Sequence, residues 1–127
     1  MNAVTPEQWQ ARLRDPASQQ AHNTMRDGDA FCCLGHLADL IDPEAWVKTT
    51  TSLNARGYCY HWYDSGGIFA PNDLPSWLKS WQQAHASGLN DHHGWTLPQI
   101  ADWVEAGMPL DVTDHTELAK DNNRENA

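Results

Sequence analysis

Residues 27–41, Asp-Gly-Asp-Ala-Phe-Cys-Cys-Leu-Gly-His-Leu-Ala-Asp-Leu-Ile, constrain this chain more than any other stretch. A polar turn at Asp27-Gly28 runs straight into an apolar segment with two adjacent cysteines, a glycine and a histidine. From Phe31 onward the apolar residues recur at helical spacing, at Cys33, Leu34, Leu37, Ala38 and Ile41. That spacing predicts a helix with one dry face, and the face carries Cys33. Asp27 or Asp29 is placed to accept from the first free amides, and Asp42-Pro43 stops the run. The remaining segments are expected to cover this helix.

A chain of 127 residues supports one domain with a modest core. Seven tryptophans, at positions 9, 46, 62, 77, 81, 95 and 103, supply much of the apolar volume. They suit a compact core, or a core plus an aromatic binding surface. Eight basic against seventeen acidic residues give a net charge of −9, which disfavours direct binding to nucleic-acid phosphates. The same charge suits a protein partner with a basic surface. No apolar run reaches the length of a membrane span, and the first residues show no signal-peptide core. Three cysteines, two of them adjacent, do not make a secreted disulfide framework, so a reducing cytoplasm is expected.

Two stretches read as helix starts: Thr5-Pro6-Glu7-Gln8, followed by Trp9 and Leu13, and Thr96-Leu97-Pro98-Gln99, followed by Ile100, Trp103 and Val104. Each places a threonine cap three residues before a glutamine, with proline in the first turn. Residues 17–23 read as irregular, Thr24-Met25-Arg26 as a short extended piece, and Pro43 to Val47 as a further turn of helix. Lys48 to Arg56 lacks periodicity and reads as loop. Gly57 to Tyr63 is the clearest strand, with Tyr58, Tyr60 and Trp62 on one face and Cys59, His61 and Tyr63 on the other. A turn at residues 64–67 would return the chain through Ile68-Phe69 as a hairpin lying on the helices. Pro71-Asn72-Asp73 opens a third helix over roughly Leu74 to Ala86, with Trp77 and Trp81 one turn apart and Gly88 as its stop. Leu89 to Gly94 reads as a turn-rich link, and Gly107 closes the last helix.

The expected fold is therefore α+β: about four helices around a short antiparallel hairpin. One globular domain spans residues 1–110, followed by a polar, disordered tail over 111–127. Phe31, Cys33, Leu34, Leu37, Ile41, Trp62, Trp77, Trp81, Ile100 and Trp103 are the expected core.

Three constellations carry possible chemistry. A cysteine at a helix start tends toward thiolate, and Cys33 on the helix with His61 on a strand has the elements and order of a cysteine hydrolase or transferase. Cys33 and His36 one helical turn apart, with Cys59 and His61 on one strand face, are candidate ligands for a Cys2His2 zinc site. Neither pair has the CxxC knuckle, so a metal-free chain without cofactor is the expectation. Asp91, His92 and His93, together with Trp77 and Trp81, make the candidate binding surface. The stretch from Thr96 to Asp102 has the look of a first helix of a helix-turn-helix, but the acidic segment that follows has no basic reading helix.

The Phe31 to Gly35 motif and the pair Leu89-Asn90-Asp91 and Ile100-Ala101-Asp102 resemble a group of small uncharacterised bacteriophage and prophage proteins. Trp9, Leu13, Asp39-Leu40 and Leu74-Pro75 also fit that pattern, so the resemblance covers nearly the whole chain except its tail. His36 and Ala38 depart from it, standing where aliphatic residues and often a third cysteine are expected. The resemblance implies a phage setting and no particular activity. Together with the charge, it leads to the expectation of an accessory protein in the host cytoplasm. Its action would be to bind and inhibit a host protein with a basic surface, such as a component of a CRISPR or restriction defence system, in the manner of an anti-CRISPR or anti-restriction protein.

Overall fold

The computed structural model describes residues 2–52, 55–62 and 75–118. The fold is α+β. In chain order it holds α1 (Pro6–Arg14), β1 (Gln19–Gln20), β2 (Arg26–Asp27), β3 (Ala30–Phe31), α2 (Cys33–Ile41), a 3-10 turn (Pro43–Ala45), β4 (Trp46–Thr50), β5 (Tyr58–Trp62), α3 (Ser80–Asp91) and α4 (Leu97–Glu105).

The helix starts at both ends of the chain follow from reciprocal capping. Thr5 Oγ1 accepts from the Gln8 amide and Gln8 Oε1 accepts from the Thr5 amide, at 3.2 and 2.8 Å. Thr96 and Gln99 repeat the device at 3.3 and 2.9 Å. α1 packs most extensively against α4 and also meets α2, while α3 packs against both α2 and α4. Trp9, Leu13, Leu37, Ile100 and Trp103 are all but inaccessible to solvent. Burying each such side chain contributes about 1.5–3 kcal/mol.

Two small sheets flank the helices. β3 lies between β1, parallel to it, and β2, antiparallel to it. β4 and β5 form the antiparallel hairpin, with Trp46 opposite Trp62, Lys48 opposite Tyr60 and Thr50 opposite Tyr58. The strand expected at 57–63 thus exists, but its partner is the segment 46–50, which sequence reading gave to a helical turn and a loop. The expected return strand at Ile68-Phe69 lies outside the described residues, as do Tyr63, the turn at 64–67 and the opening of the third helix at 71–74.

α3 also differs from expectation. It begins at Ser80, after Trp77, and runs through Gly88 to Asp91. Trp77 therefore precedes the helix instead of sharing a face with Trp81. Val112 and Leu118 are buried in the core, so residues 111–118 pack on the domain instead of belonging to the tail. Residues 119–127 lie outside the described residues. Among the described residues no helix is long and apolar enough to cross a membrane.

Candidate functional site

The Cys-Cys-Leu-Gly motif builds the start of α2. Cys32, not Asp27 or Asp29, is the cap: its Sγ accepts from the Gly35 amide at 3.3 Å. The first amide of the helix, that of Cys33, is accepted at 3.2 Å by Oδ1 of Asn90 at the end of α3. Asn90 is fully buried, and all of its side chain is used. Its Oδ1 also accepts from Gln20 Nε2 at 2.9 Å, and its Nδ2 donates to the Ala21 carbonyl and to Asp91 Oδ1 at 2.9 and 2.7 Å. Gly35 is required by space: a Cβ there would stand 1.9 Å from the Met25 carbonyl oxygen. That carbonyl accepts from the Cys32 amide at 3.1 Å, which ties the strand approach to the helix.

Cys33 is enclosed. Its thiol meets the Ala86 carbonyl at 3.5 Å, and burial, with nearby Cys32, pushes its pKa well above the ordinary thiol range. Burial pushes Cys32 up to about 11, against the opposing hydrogen bond from Gly35. A thiol held protonated in an apolar interior is inert as a nucleophile. No hydrogen bond joins Cys33 to His61. His61 instead lies against Cys59 on its own strand, with Nε2 3.3 Å from Sγ, and Thr49 Oγ1 is 3.4 Å from the same sulfur. The proposed Cys33–His61 pair is therefore not assembled, because the helix turns Cys33 toward α3.

The zinc candidates Cys33, His36, Cys59 and His61 do not converge either. Among the described residues no three His, Cys, Asp or Glu side chains are grouped to hold a metal ion. Both ring nitrogens of buried His36 are taken. Arg12 Nε donates to Nδ1 at 3.0 Å, which leaves the proton on Nε2, and Nε2 donates to the Gln19 carbonyl at 2.9 Å. Burial lowers the His36 pKa below its usual value, opposed by the Gln19 contact. The same arginine meets Asp39 at 2.8 Å, and Asp39 accepts from the Trp46 indole at 3.0 Å.

The expected binding surface divides. Asp91 is structural, accepting from the Asn23 amide at 2.9 Å as well as from Asn90. Trp77 packs on Trp9 with ring centroids 5.8 Å apart and donates to the Val4 carbonyl at 2.9 Å. His92 and His93 are exposed where α3 ends. Trp81, expected in the core, is 58 % exposed. The other six tryptophans each donate the indole N–H to a protein acceptor: Trp9 to Cys33, Trp46 to Asp39, Trp62 to Asp42, Trp77 to Val4, Trp95 to Thr113 and Trp103 to Pro109. Trp81 alone makes no such bond among the described residues. One turn further along α3, His85 Nε2 is 2.7 Å from the Val112 carbonyl, which ties the segment after α4 to α3.

Sequence reading missed a second feature, a cleft of about 370 Å³ between the Asp27-Gly28 turn and β5. Arg26, Arg56, Tyr58 and Tyr60 line it. The Arg26 guanidinium lies 3.9 Å from the Tyr60 ring centroid, with Phe31 and Trp46 at 5.1 and 5.5 Å. Its Nε donates to the Gly28 carbonyl at 2.8 Å. Lys48 sits 4.0 Å over the Tyr58 ring, and Arg56 Nε meets Asp27 Oδ1 at 2.8 Å. A hydrogen bond with Tyr58 and the Asp27 charge raise the Arg56 pKa. The alternating tyrosines were the available signal, but nothing in the sequence brings Arg26 to them.

A family model matches residues 1–87, and the chain belongs to that family, described as a domain of unknown function (DUF8296). The matched part takes in the capped start of α2, the cleft and Trp81, and stops before Asn90. No curated protein and no solved structure matches the chain.

Proposed function

We propose that this protein works by binding, presenting the Trp81 face of α3 to a protein partner with a basic surface. The observation that carries this reading is the exposure of Trp81 in a chain whose other six tryptophans are closed off by indole hydrogen bonds. An unsatisfied, half-exposed tryptophan has the large apolar area and polar edge that make interface anchors. The net charge of −9 supplies attraction toward a basic partner and faster encounter with it. In the phage setting that the motif resemblance implies, the partner is a host protein, and a defence factor with a basic nucleic-acid cleft fits the charge. Cys33, buried and held as a thiol, supports binding over cysteine catalysis.

The test compares wild type with Trp81→Ser as bait in host lysate at low and high salt, read by mass spectrometry. A stoichiometric partner is expected that weakens with salt and whose affinity falls about 30-fold or more in the variant. A partner equally retained by Trp81→Ser removes the assigned surface, and no partner for wild type at either salt removes the binding reading.

A further inference from the structure

We propose that the cleft between the Asp27-Gly28 turn and β5 binds a phosphomonoester, with Arg26, Arg56 and Lys48 supplying the positive charge. In a chain of eight basic and seventeen acidic residues, cations are scarce. Arg12 and Arg14 are spent on Asp39 and on Asp102 and Glu105. Arg26 and Lys48 have no carboxylate within 4.0 Å among the described residues; aromatic rings hold them instead.

The two arginines approach the same turn from different sides. Arg26 donates to the Gly28 carbonyl, while Arg56 reaches Asp27 and lies over the Gly28 backbone. A Cβ on Gly28 would stand 2.9 Å from Arg56 Nη1, and its φ of +62° is itself one that glycine adopts freely. The turn is thus shaped so that two like charges converge. Stacking on Tyr60, Phe31 and Trp46 fixes the Arg26 plane before any ligand arrives, and its terminal N–H groups have no hydrogen-bonded partner among the described residues. A planar fork of this kind matches phosphate oxygens better than a point charge does.

A volume of about 370 Å³ suits a small molecule. Asp27, and Asp29 nearby, oppose any anion, so a singly charged ligand gains little. A phosphate dianion, with several acceptor oxygens, competes with Asp27 for Arg56 and engages Arg26 at once. This site is separate from Trp81, and its fate does not bear on the proposed protein partner.

The probes are AMP and inorganic phosphate, titrated calorimetrically into the full chain at low ionic strength. Saturable binding near millimolar or tighter is expected for both. Equal affinities mean that the phosphate alone is recognised; tighter AMP means that its base also packs on the tyrosines. Loss of one charged hydrogen-bonding partner predicts about tenfold weaker binding for Arg56→Gln and a smaller loss for Lys48→Gln. Asp27→Asn should bind more tightly, a gain that a merely structural role of the turn does not produce. Both Arg56 and Asp27 are exposed, so these variants leave the core intact. No binding by wild type or Asp27→Asn at about 10 mM probe overturns the proposal, as does binding indifferent to Arg56→Gln and Asp27→Asn.

Discussion

Replacing Asn90 with alanine should unfold this domain more readily than any surface change, because the first amide of α2, that of Cys33, is closed by a side chain 57 positions away in sequence. Four contacts are lost, and they are not equivalent. Gln20 keeps the Trp95 carbonyl at 2.8 Å, and Asp91 keeps the Asn23 amide, so those two groups remain partly satisfied. The Cys33 amide and the Ala21 carbonyl have Asn90 as their only hydrogen-bonded partner among the described residues. Leaving a buried backbone group without a partner costs about 1–3 kcal/mol, so the pair gives roughly 2–6 kcal/mol. For a domain of this size that is a fall in Tm of about 10–20 °C, and a large share of a total stability of about 5–15 kcal/mol. Urea unfolding followed by circular dichroism and tryptophan fluorescence measures it, with Gln20→Ala as a milder control. A loss below about 1 kcal/mol for Asn90→Ala would refute the role of Asn90 as the acceptor that closes the first amide of α2.

Two further outcomes follow from the same core. In the folded state His36 binds a proton less readily than in the unfolded chain, where its value is 6.5, so its contribution is complete above that pH and declines as pH falls through it. The urea midpoint should therefore drop between about pH 6.5 and pH 5, and His36→Gln should flatten that slope; a wild-type midpoint constant over this range contradicts the environment described. Asp102, held below its usual value by Arg14 and His115 against the cost of burial, adds its loss only at lower pH, in the carboxylate range. Of the three thiols, half-buried Cys59 should take up iodoacetamide in the native protein, with Cys32 and Cys33 reacting only after urea. At neutral pH the Cys32 thiolate fraction is below about one in a thousand. Rapid native labelling of Cys33 would restore the nucleophile that its burial removes.

What the sequence made legible was local, and what it hid was long-range. The two Thr-Pro/Thr-Leu-Pro starts are decided by residues within one or two turns and formed as expected, whereas α2 is buried on more than the one face its spacing predicts, with Gly35 and His36 also enclosed. β4 was hidden because Trp46-Val47-Lys48-Thr49-Thr50 follows Pro43-Glu44-Ala45, and its strand character depends on a partner 8 to 16 positions on. Trp77 and Trp81 looked like one helical face, yet Trp77 stands before the helix, held by Trp9 and the Val4 carbonyl. Periodicity does not say where a helix begins when its cap residue is as unremarkable as Lys79. The Cys-Cys-Leu-Gly motif shows the reverse relation, a distinctive local sequence whose role is structural. Cys32, Cys33, Gly35 and Asn90 are demanding positions, but what demands them is a helix start pressed against the Met25 carbonyl. Among the described residues, those that packing leaves with unused polar groups include Trp81, the ring-held Arg26 and Lys48, and the buried Nδ1 of His61. No single segment reveals them, since being left over is a property of the whole fold.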